Sequence, residues 1–234
     1  MLIPYNVDVP QERWPIANWV LIGITVVIST AAILSGEPTE WDLLRGNLPW
    51  HYAWALHRDG FSIPQLVGAL FIHVGVIHLL GNMVFLFCFG NAANAKLGHV
   101  LYVSAYLLLG VLSALAWLAI GNGRFAVGAS GAIMGIVGIY LVYFPRNDVR
   151  VLYCFWFFYI VRAGVFSLSS YWLILLYMAF DVWGLATQNE GVAYVAHVAG
   201  AFGGVGVATV LLATNVVAST DTEENLFQVL RVWK

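Results

Sequence analysis

The distribution of charged residues constrains this chain more than any other feature of its sequence. Six runs contain no Asp, Glu, Lys or Arg, at 14–36, 60–95, 97–123, 125–145, 163–180 and 191–220. A membrane-spanning helix needs about 20 apolar residues, with ~17 as the lower limit. Each run is long enough for one span, and we predict helices near 17–35, 74–93, 99–120, 127–144, 170–187 and 193–213.

The composition supports a membrane protein. Charged residues make up 9% of the 234 residues, whereas about 25% is usual for a soluble domain. The net charge of −2 provides no basic surface for nucleic acid, so we expect no nucleic-acid partner. The predicted fold class is an all-α polytopic membrane protein with a single domain over 1–234. Its core covers about 15–215, and residues 215–234, with Asp221, Glu223 and Glu224, are predicted to form a solvated tail.

Two segments between the predicted spans are unusual. Residues 36–66 form a long first loop rich in Trp, Tyr and His, which suits either the lipid headgroup zone or an ordinary extramembrane loop. Residues 151–161 form an apolar run of 11 residues between Arg150 and Arg162, too short to span a bilayer. We interpret this run as a re-entrant or interfacial piece, and its aromatic and β-branched residues favour a strand.

The basic residues predict the orientation of the chain. Six spans place the N-terminus, the second and fourth loops and the C-terminus on one side of the membrane. That side holds seven of the ten Lys and Arg residues, and the other side holds Arg45, Arg58 and Arg124. We therefore expect both termini to be cytoplasmic and the first, third and fifth loops to face outward.

A few polar residues lie within the predicted spans, where each indicates a functional site by default. His73, His78 and Asn82 open span two, Ser130 opens span four, Asp181 lies in span five and His197 opens span six. Spans two, four and six start from the same side, so the residues at their openings share one depth. Asp181 is expected to partner a neighbouring hydroxyl or amide, and a third catalytic role for it stays open.

Glycines predict how Ser130 and His197 meet. Gly128 and Gly131 flank Ser130, and Gly200 and Gly204 follow His197. Small residues at such spacing let membrane helices approach closely, so spans four and six are expected to touch.

A serine hydroxyl becomes a nucleophile when a neutral imidazole takes its proton, and the oxyanion that forms needs fixed donors. We predict a Ser–His dyad, because no acid is near His197 in sequence, with His78, Asn82 and the Ser130 N–H as donors. The HExxH motif is absent and His73 and His78 are poorly spaced as ligands, so we predict no metal and no other cofactor.

Four segments of the chain resemble the rhomboid family of intramembrane serine proteases. They are FIHVGVIHLLGN at 71–82, NAANAKLGH at 91–99, VGASG at 127–131 and AHVAGAFGG at 196–204. The resemblance covers roughly 15–215 and is to bacterial or archaeal members with a six-helix core.

The resemblance implies a water-filled cavity that opens outward and cleavage of single-span membrane protein substrates in or beside their membrane segment. It implies Ser130 as nucleophile, His197 as base, and an oxyanion hole of His78, Asn82 and the Ser130 N–H. His73 matches a cavity histidine, and Gly128 and Gly131 match the motif that frames the serine. Met134 stands where many members have a tyrosine that stacks on the catalytic histidine.

The expected partners are transmembrane substrates and the lipid bilayer, in a prokaryotic plasma membrane. The main alternative is a non-catalytic rhomboid-like protein that holds membrane clients. A transporter is disfavoured, because the sequence has neither inverted repeats nor an ionisable relay. The sequence leaves the oligomeric state open.

Overall fold

The computed structural model describes residues 2–9, 13–37, 45, 47–157, 160–187, 192–220 and 223–232, without the side chains of 156, 157 and 160. Over these described residues the chain forms six long helices: α1 (Ile16–Leu34), α2 (Val76–Leu97), α3 (His99–Ile120), α4 (Ser130–Tyr143), α5 (Ser170–Ala186) and α6 (Tyr194–Ala213). All six predicted helices are confirmed, and the largest differences are a later start for α4 and a later end for α2. Helices α1, α2, α3 and α6 are long and apolar enough to cross a membrane, whereas α4 and α5 are shorter apolar helices of 14 and 17 residues.

Helix α4 is the central element of the bundle. Every residue from Gly131 to Tyr140 is buried, and α4 packs most extensively against α6 and also against α3. A helix that is apolar on all sides is expected in such a position. Because Ser130 is its first residue, the nucleophile predicted from the sequence lies at one end of the core.

Helix α2 contains one π-helical turn at Leu86–Gly90, where a buried amide stabilises the irregular backbone. The Asn18 side chain of α1 donates to the Leu86 carbonyl oxygen at 2.9 Å and to Asn91 Oδ1 at 2.8 Å. It also accepts from the Tyr102 hydroxyl of α3 at 2.5 Å. This network ties α1, α2 and α3 together at the end of the bundle opposite Ser130.

Three strands form an antiparallel sheet in the order β1–β4–β5. Strand β1 is Leu2–Val7, and β4 (Asp148–Phe157) and β5 (Ile160–Ser169) form a hairpin between α4 and α5. The run at 151–161 therefore belongs to the outer part of the hairpin over its described residues, which confirms the strand interpretation. Its pairing with β1 was not predicted.

A second, two-residue pairing joins the first and third loops beside Ser130. Strand β2 (Leu56–His57) pairs antiparallel with β3 (Phe125–Ala126). Arg58 then donates to the carbonyl oxygens of Trp117 at 3.0 Å and Gly121 at 2.5 Å. Because a cation stabilises the negative end of a helix dipole, Arg58 anchors the first loop on the C-terminus of α3.

The C-terminal segment differs from the predicted solvated tail. Glu223 is buried and forms an ion pair with Lys96 at the end of α2, and the two side chains are each 3% exposed. The short helix α7 (Leu226–Val229) follows, with a capping box between Asn225 and Gln228. The prediction was wrong for Glu223 because a charge can be buried when a partner from another element meets it. Glu224 is exposed, and Asp221 lies outside the described residues.

Candidate active site

The loop before α4 has a conformation that requires glycine. Gly128 has φ +115°, and its N–H donates to the Ala69 carbonyl oxygen at 2.8 Å. A side chain there would be strained, and its Cβ would also lie 2.8 Å from Cε1 of His78. The tight turn places Ser130 as the first residue of α4. The backbone N–H groups of this first turn have no intrahelical partner and lie at the positive end of the helix dipole.

Asn82 and His78 extend from α2 toward this loop. An ideal Cβ on Gly128 would lie 3.0 Å from His78 Nε2 and 3.8 Å from Asn82 Nδ2, so both side chains border the Ser130 turn. Asn82 is buried, and its Nδ2 group has no hydrogen-bond partner among the residues that the structure describes. A buried donor without a partner is unfavourable by about 1–3 kcal/mol. Asn82 therefore presents an unused donor beside the turn that carries Ser130.

His73 stabilises the loop before Ser130 by a hydrogen bond and does not line an open cavity. It is fully buried, its Nε2 accepts from the Ala129 N–H at 3.4 Å, and its Nδ1 lies 2.9 Å from Ser29 Oγ. Ser29 Oγ in turn donates to the Phe71 carbonyl oxygen at 2.8 Å. These bonds are satisfied together only if His73 is neutral with its proton on Nδ1. His73 thus connects α1 to the residue that precedes Ser130.

Helices α4 and α6 touch along their glycines, as predicted from the sequence. A Cβ on Gly200 would collide with the carbonyl oxygen of Gly131, and a Cβ on Gly204 would collide with that of Gly135. Gly131 follows Ser130 directly, and Gly200 lies one turn after His197 on the same helix face. Backbone contact between these helices therefore brings the turn that carries Ser130 against the turn that carries His197.

His197 has an acidic partner that the sequence did not predict. Its Nδ1 lies 3.0 Å from Oδ1 of Asp181 on α5, and both side chains are mostly buried. The ring of Tyr194 meets the imidazole edge-on at 6.3 Å, and this ring packs over Gly184 of α5 with no space for a Cβ. Met134 is buried on α4. The aromatic contact with His197 thus comes from its own helix.

A small cavity of about 40 Å³ adjoins Ser130. Its lining includes Gly128, Gly131, Ala196, Trp117 and Leu56 and is almost entirely apolar. One water molecule needs a cavity volume of roughly 10–15 Å³, so this cavity holds no more than a few waters or one small side chain. Among the described residues, Ser130 Oγ has no hydrogen-bond partner. Catalytic hydrogen bonds often tighten only when substrate binds, so this geometry is compatible with a nucleophile.

Taken together, the structure groups Ser130, His78, Asn82, His73, Gly128, Gly131 and Gly200 around one turn, places Gly204 one turn further along the same interface, and adds Asp181 to His197. A hydroxyl at a helix N-terminus, an imidazole held by a carboxylate and a buried free amide are the components of an acyl-transfer site. Sequence reasoning missed the Asp181 contact and the Ser29 bond to His73. The signal for Asp181 was its position as an acid within a span.

Comparison with known proteins identifies the family of this site. The Rhomboid domain matches residues 61–214, so the chain belongs to the rhomboid family, which includes intramembrane serine proteases.

Several relatives match over part of the chain. An Arabidopsis thaliana protein named RHOMBOID-like protein 5 is 33% identical over 58% of this chain and 52% of its own length. Rhomboid-like protease 3 of Toxoplasma gondii is 27% identical over 51% of this chain and 45% of its own. Mouse presenilin-associated rhomboid-like protein, mitochondrial, is 25% identical over 61% of this chain and 36% of its own length. The chain thus spans about half the length, or less, of these relatives.

Proposed function

We propose that this protein is an intramembrane serine endopeptidase that cleaves single-span membrane proteins in or near their transmembrane segment. The observation that carries the proposal is the backbone contact between α4 and α6, with Gly200 against Gly131, because it packs the helix turn that carries His197 against the turn that carries Ser130. The rhomboid-family match over 61–214 supports the same activity at the level of the family.

In the proposed reaction, Ser130 Oγ attacks the carbonyl carbon of the scissile bond and His197 Nε2 takes its proton. The tetrahedral intermediate then collapses, the C–N bond breaks, and the same proton passes from Nε2 to the leaving amine. A water molecule attacks the acyl-enzyme, gives its proton to Nε2 and releases the acid, and Ser130 regains a proton. Asp181 accepts the Nδ1 hydrogen of His197, which leaves Nε2 as the atom with a free lone pair.

The developing oxyanion would be bound by the Ser130 N–H, Asn82 Nδ2 and His78. The free Nδ2 group of buried Asn82 supports this role, because a donor without a ground-state partner gains a bond only when the oxyanion forms.

The proposed substrate has a small residue before the cut and a helix-breaking Gly or Pro nearby. The 40 Å³ cavity beside Ser130 supports a small side chain. A helical substrate hides its carbonyls in hydrogen bonds, and these groups find no water in lipid when they are released. A substrate with Gly-Pro below the cut should therefore be cleaved faster than one with an all-Leu helix.

We further propose a bacterial or archaeal six-helix type in a plasma membrane, with both termini cytoplasmic and Ser130 toward the outer side. The seven-to-three split of basic residues supports this orientation. In intact cells, a single cysteine at exposed Asn122 should react with an impermeant maleimide and one at Asp148 should not. The reverse labelling pattern would invert the topology.

The activity is tested with purified protein in liposomes, a model single-span substrate and a fluorophosphonate probe. Wild type should cleave and be labelled, and Ser130→Ala should do neither while melting at the same temperature. Ser167→Ala, which removes an exposed serine on β5, is the matched control and should behave as wild type. A folded wild type that neither labels nor cleaves would favour a non-catalytic client-binding protein, and cleavage by Ser130→Ala would refute the serine mechanism.

A further inference from the structure

The outer half of the β4–β5 hairpin, residues 152–155 and 161–166, has an apolar surface that the bundle does not cover. We call these residues the distal hairpin. Their exposed fractions include 55% for Phe155, 63% for Val161 and 55% for Val165. By contrast, Val149 and Val151 at the base of β4 are fully buried against the helices. The hairpin thus leaves the bundle after Val151.

Both faces of the distal hairpin are apolar. At the base of the hairpin, one face carries Arg150 opposite Ser167. Further from the bundle, the same face carries Leu152 opposite Val165. The opposite face carries Tyr153, Phe155 and Phe166, which are intermediate or exposed. A sheet that packs one face on a core normally turns polar residues to solvent on the other face. Here the face that is polar at the base becomes apolar where the hairpin leaves the bundle, and Arg162 is the one charged residue of the distal hairpin, so something other than water covers the outer half.

The distal hairpin leads through the base of β5 to α5, which also has exposed apolar side chains. Strand β5 ends at Ser169 and α5 begins at Ser170, and Trp172 in the first turn of α5 is 56% exposed. Helices α4 and α5, which flank the hairpin, are about 21 and 26 Å long at 1.5 Å per residue, shorter than the ~30 Å apolar layer. The hairpin therefore starts near the boundary of that layer, at the end opposite Ser130.

The base of the hairpin is fixed, so its direction is set by the bundle. The Ser170 hydroxyl donates to the Phe144 and Pro145 carbonyl oxygens, and its N–H donates to the Asn147 carbonyl oxygen at 2.9 Å. Asn147 in turn donates to the Asp8 carbonyl oxygen beside β1 at 2.6 Å.

The charges of the hairpin also match lipid headgroups. Arg150 and Arg162 are exposed, and neither makes an ion pair with any residue that the structure describes. Arg162 pairs across the strands with Phe155, which puts a cation next to an aromatic ring as in a membrane interface. Arginines at such positions reach lipid phosphates while their stems cover apolar surface.

From these observations we propose that the distal hairpin inserts into the interfacial zone of the bilayer, where it acts as a second membrane anchor and binds anionic phospholipid through Arg150 and Arg162. A second copy of the chain fits less well. Strand β5 is an edge strand that can pair with another chain, but edge pairing would cover backbone groups and leave both apolar faces exposed. This inference is independent of the proteolytic activity proposed above.

The test uses spin labels on single cysteines in a Cys88→Ala/Cys154→Ala background, with full-length protein in phosphatidylethanolamine–phosphatidylglycerol vesicles. Labels go on Phe155 and Val165, with Leu152 as a further site if one variant fails to fold. Ser167 is the matched control, because it lies two residues from Val165 on the same face of β5. Power saturation then measures collisions of each label with oxygen and with a water-soluble nickel chelate.

We expect the distal labels to collide several-fold more with oxygen than with nickel, and the Ser167 label to show the reverse. Nickel collisions at Val165 as frequent as at Ser167 would overturn the proposal, because the hairpin would then be in water. Low collision rates with both reagents together with spin–spin broadening would also overturn it in favour of a dimer. With both arginines present, the distal labels should collide more often with oxygen in anionic vesicles than in phosphatidylcholine vesicles. In a variant with Arg150→Gln and Arg162→Gln, this difference should be lost.

Discussion

At the scale of single residues, the Asp181–His197 hydrogen bond determines which nitrogen of the imidazole is available to take a proton. In the mechanism proposed above, the carboxylate orients the ring and stabilises the imidazolium that forms during attack. We expect Asp181→Ala to lower kcat on the order of 10²-fold or more, the usual range for general base catalysis, with little change in KM. Steady-state cleavage and the rate of fluorophosphonate labelling measure this.

Thr187→Ala, an exposed change at the end of the same helix, is the control and should retain wild-type kinetics. If Asp181→Ala changes only the melting temperature and not kcat, Asp181 is structural and a Ser130–His197 dyad is sufficient.

Asn82 carries the second prediction at this scale. Removing one oxyanion donor typically lowers turnover by about 10²–10³-fold. Asn82→Ala should therefore lower kcat by about that factor and leave KM nearly unchanged, whereas Asn122→Ala, an exposed amide, should have no effect. A change confined to KM would assign Asn82 to substrate binding.

At the scale of elements, the contact between α4 and α6 can be tested with one methyl group. Gly200→Ala places a Cβ against the Gly131 carbonyl oxygen and must push the helices apart. Overpacking of this kind destabilises by about 1–3 kcal/mol, and here it also separates His197 from Ser130. Both the melting temperature and the cleavage rate should fall.

Gly206→Ala lies on the same helix, and its Cβ would meet nothing within 4 Å. It should be neutral or slightly stabilising, because alanine favours a helix. Equal behaviour of the two variants would mean that the interface between α4 and α6 does not determine activity.

At the scale of the whole molecule, the Lys96–Glu223 pair connects the end of α2 to the C-terminal segment. Removing one partner of a buried pair leaves an uncompensated charge and costs about 3–5 kcal/mol, whereas an exposed pair contributes about 0–1 kcal/mol. Glu223→Ala should thus destabilise strongly, and Lys96→Met with Glu223→Leu should recover most of the loss. Denaturant unfolding in detergent micelles measures the free energies.

The matched control is the Arg146–Glu224 pair, which joins the segment after α4 to the same C-terminal segment at 2.6 Å with side chains 58% and 60% exposed. Glu224→Ala should change the free energy of unfolding by less than about 1 kcal/mol. If Glu223→Ala is equally mild, the C-terminal segment does not stabilise the bundle.

The sequence alone determined the six helices and the residues of the turn that carries Ser130. Charge-free runs mark spans because lipid excludes charge, so the bounds of α3 at 99–120 and of α6 near 193–213 could be read with little error. The glycines beside Ser130 and His197 indicated the α4–α6 contact, since only a residue without a Cβ allows that approach. The strand character of 151–161 followed from its aromatic and β-branched residues.

Only the tertiary structure decided which residues from distant parts of the chain meet. Asp181 faces His197 because packing fixes the rotation of α5 about its axis, and neither composition nor spacing encodes that rotation. Glu223 meets Lys96 across 127 residues, so a segment that reads as solvated is buried. Strands β1 and β4 also come from distant parts of the chain, and their backbone pairing forms only when both strands are in place. Local sequence specifies elements through solvation, whereas long-range partners depend on how complete elements pack.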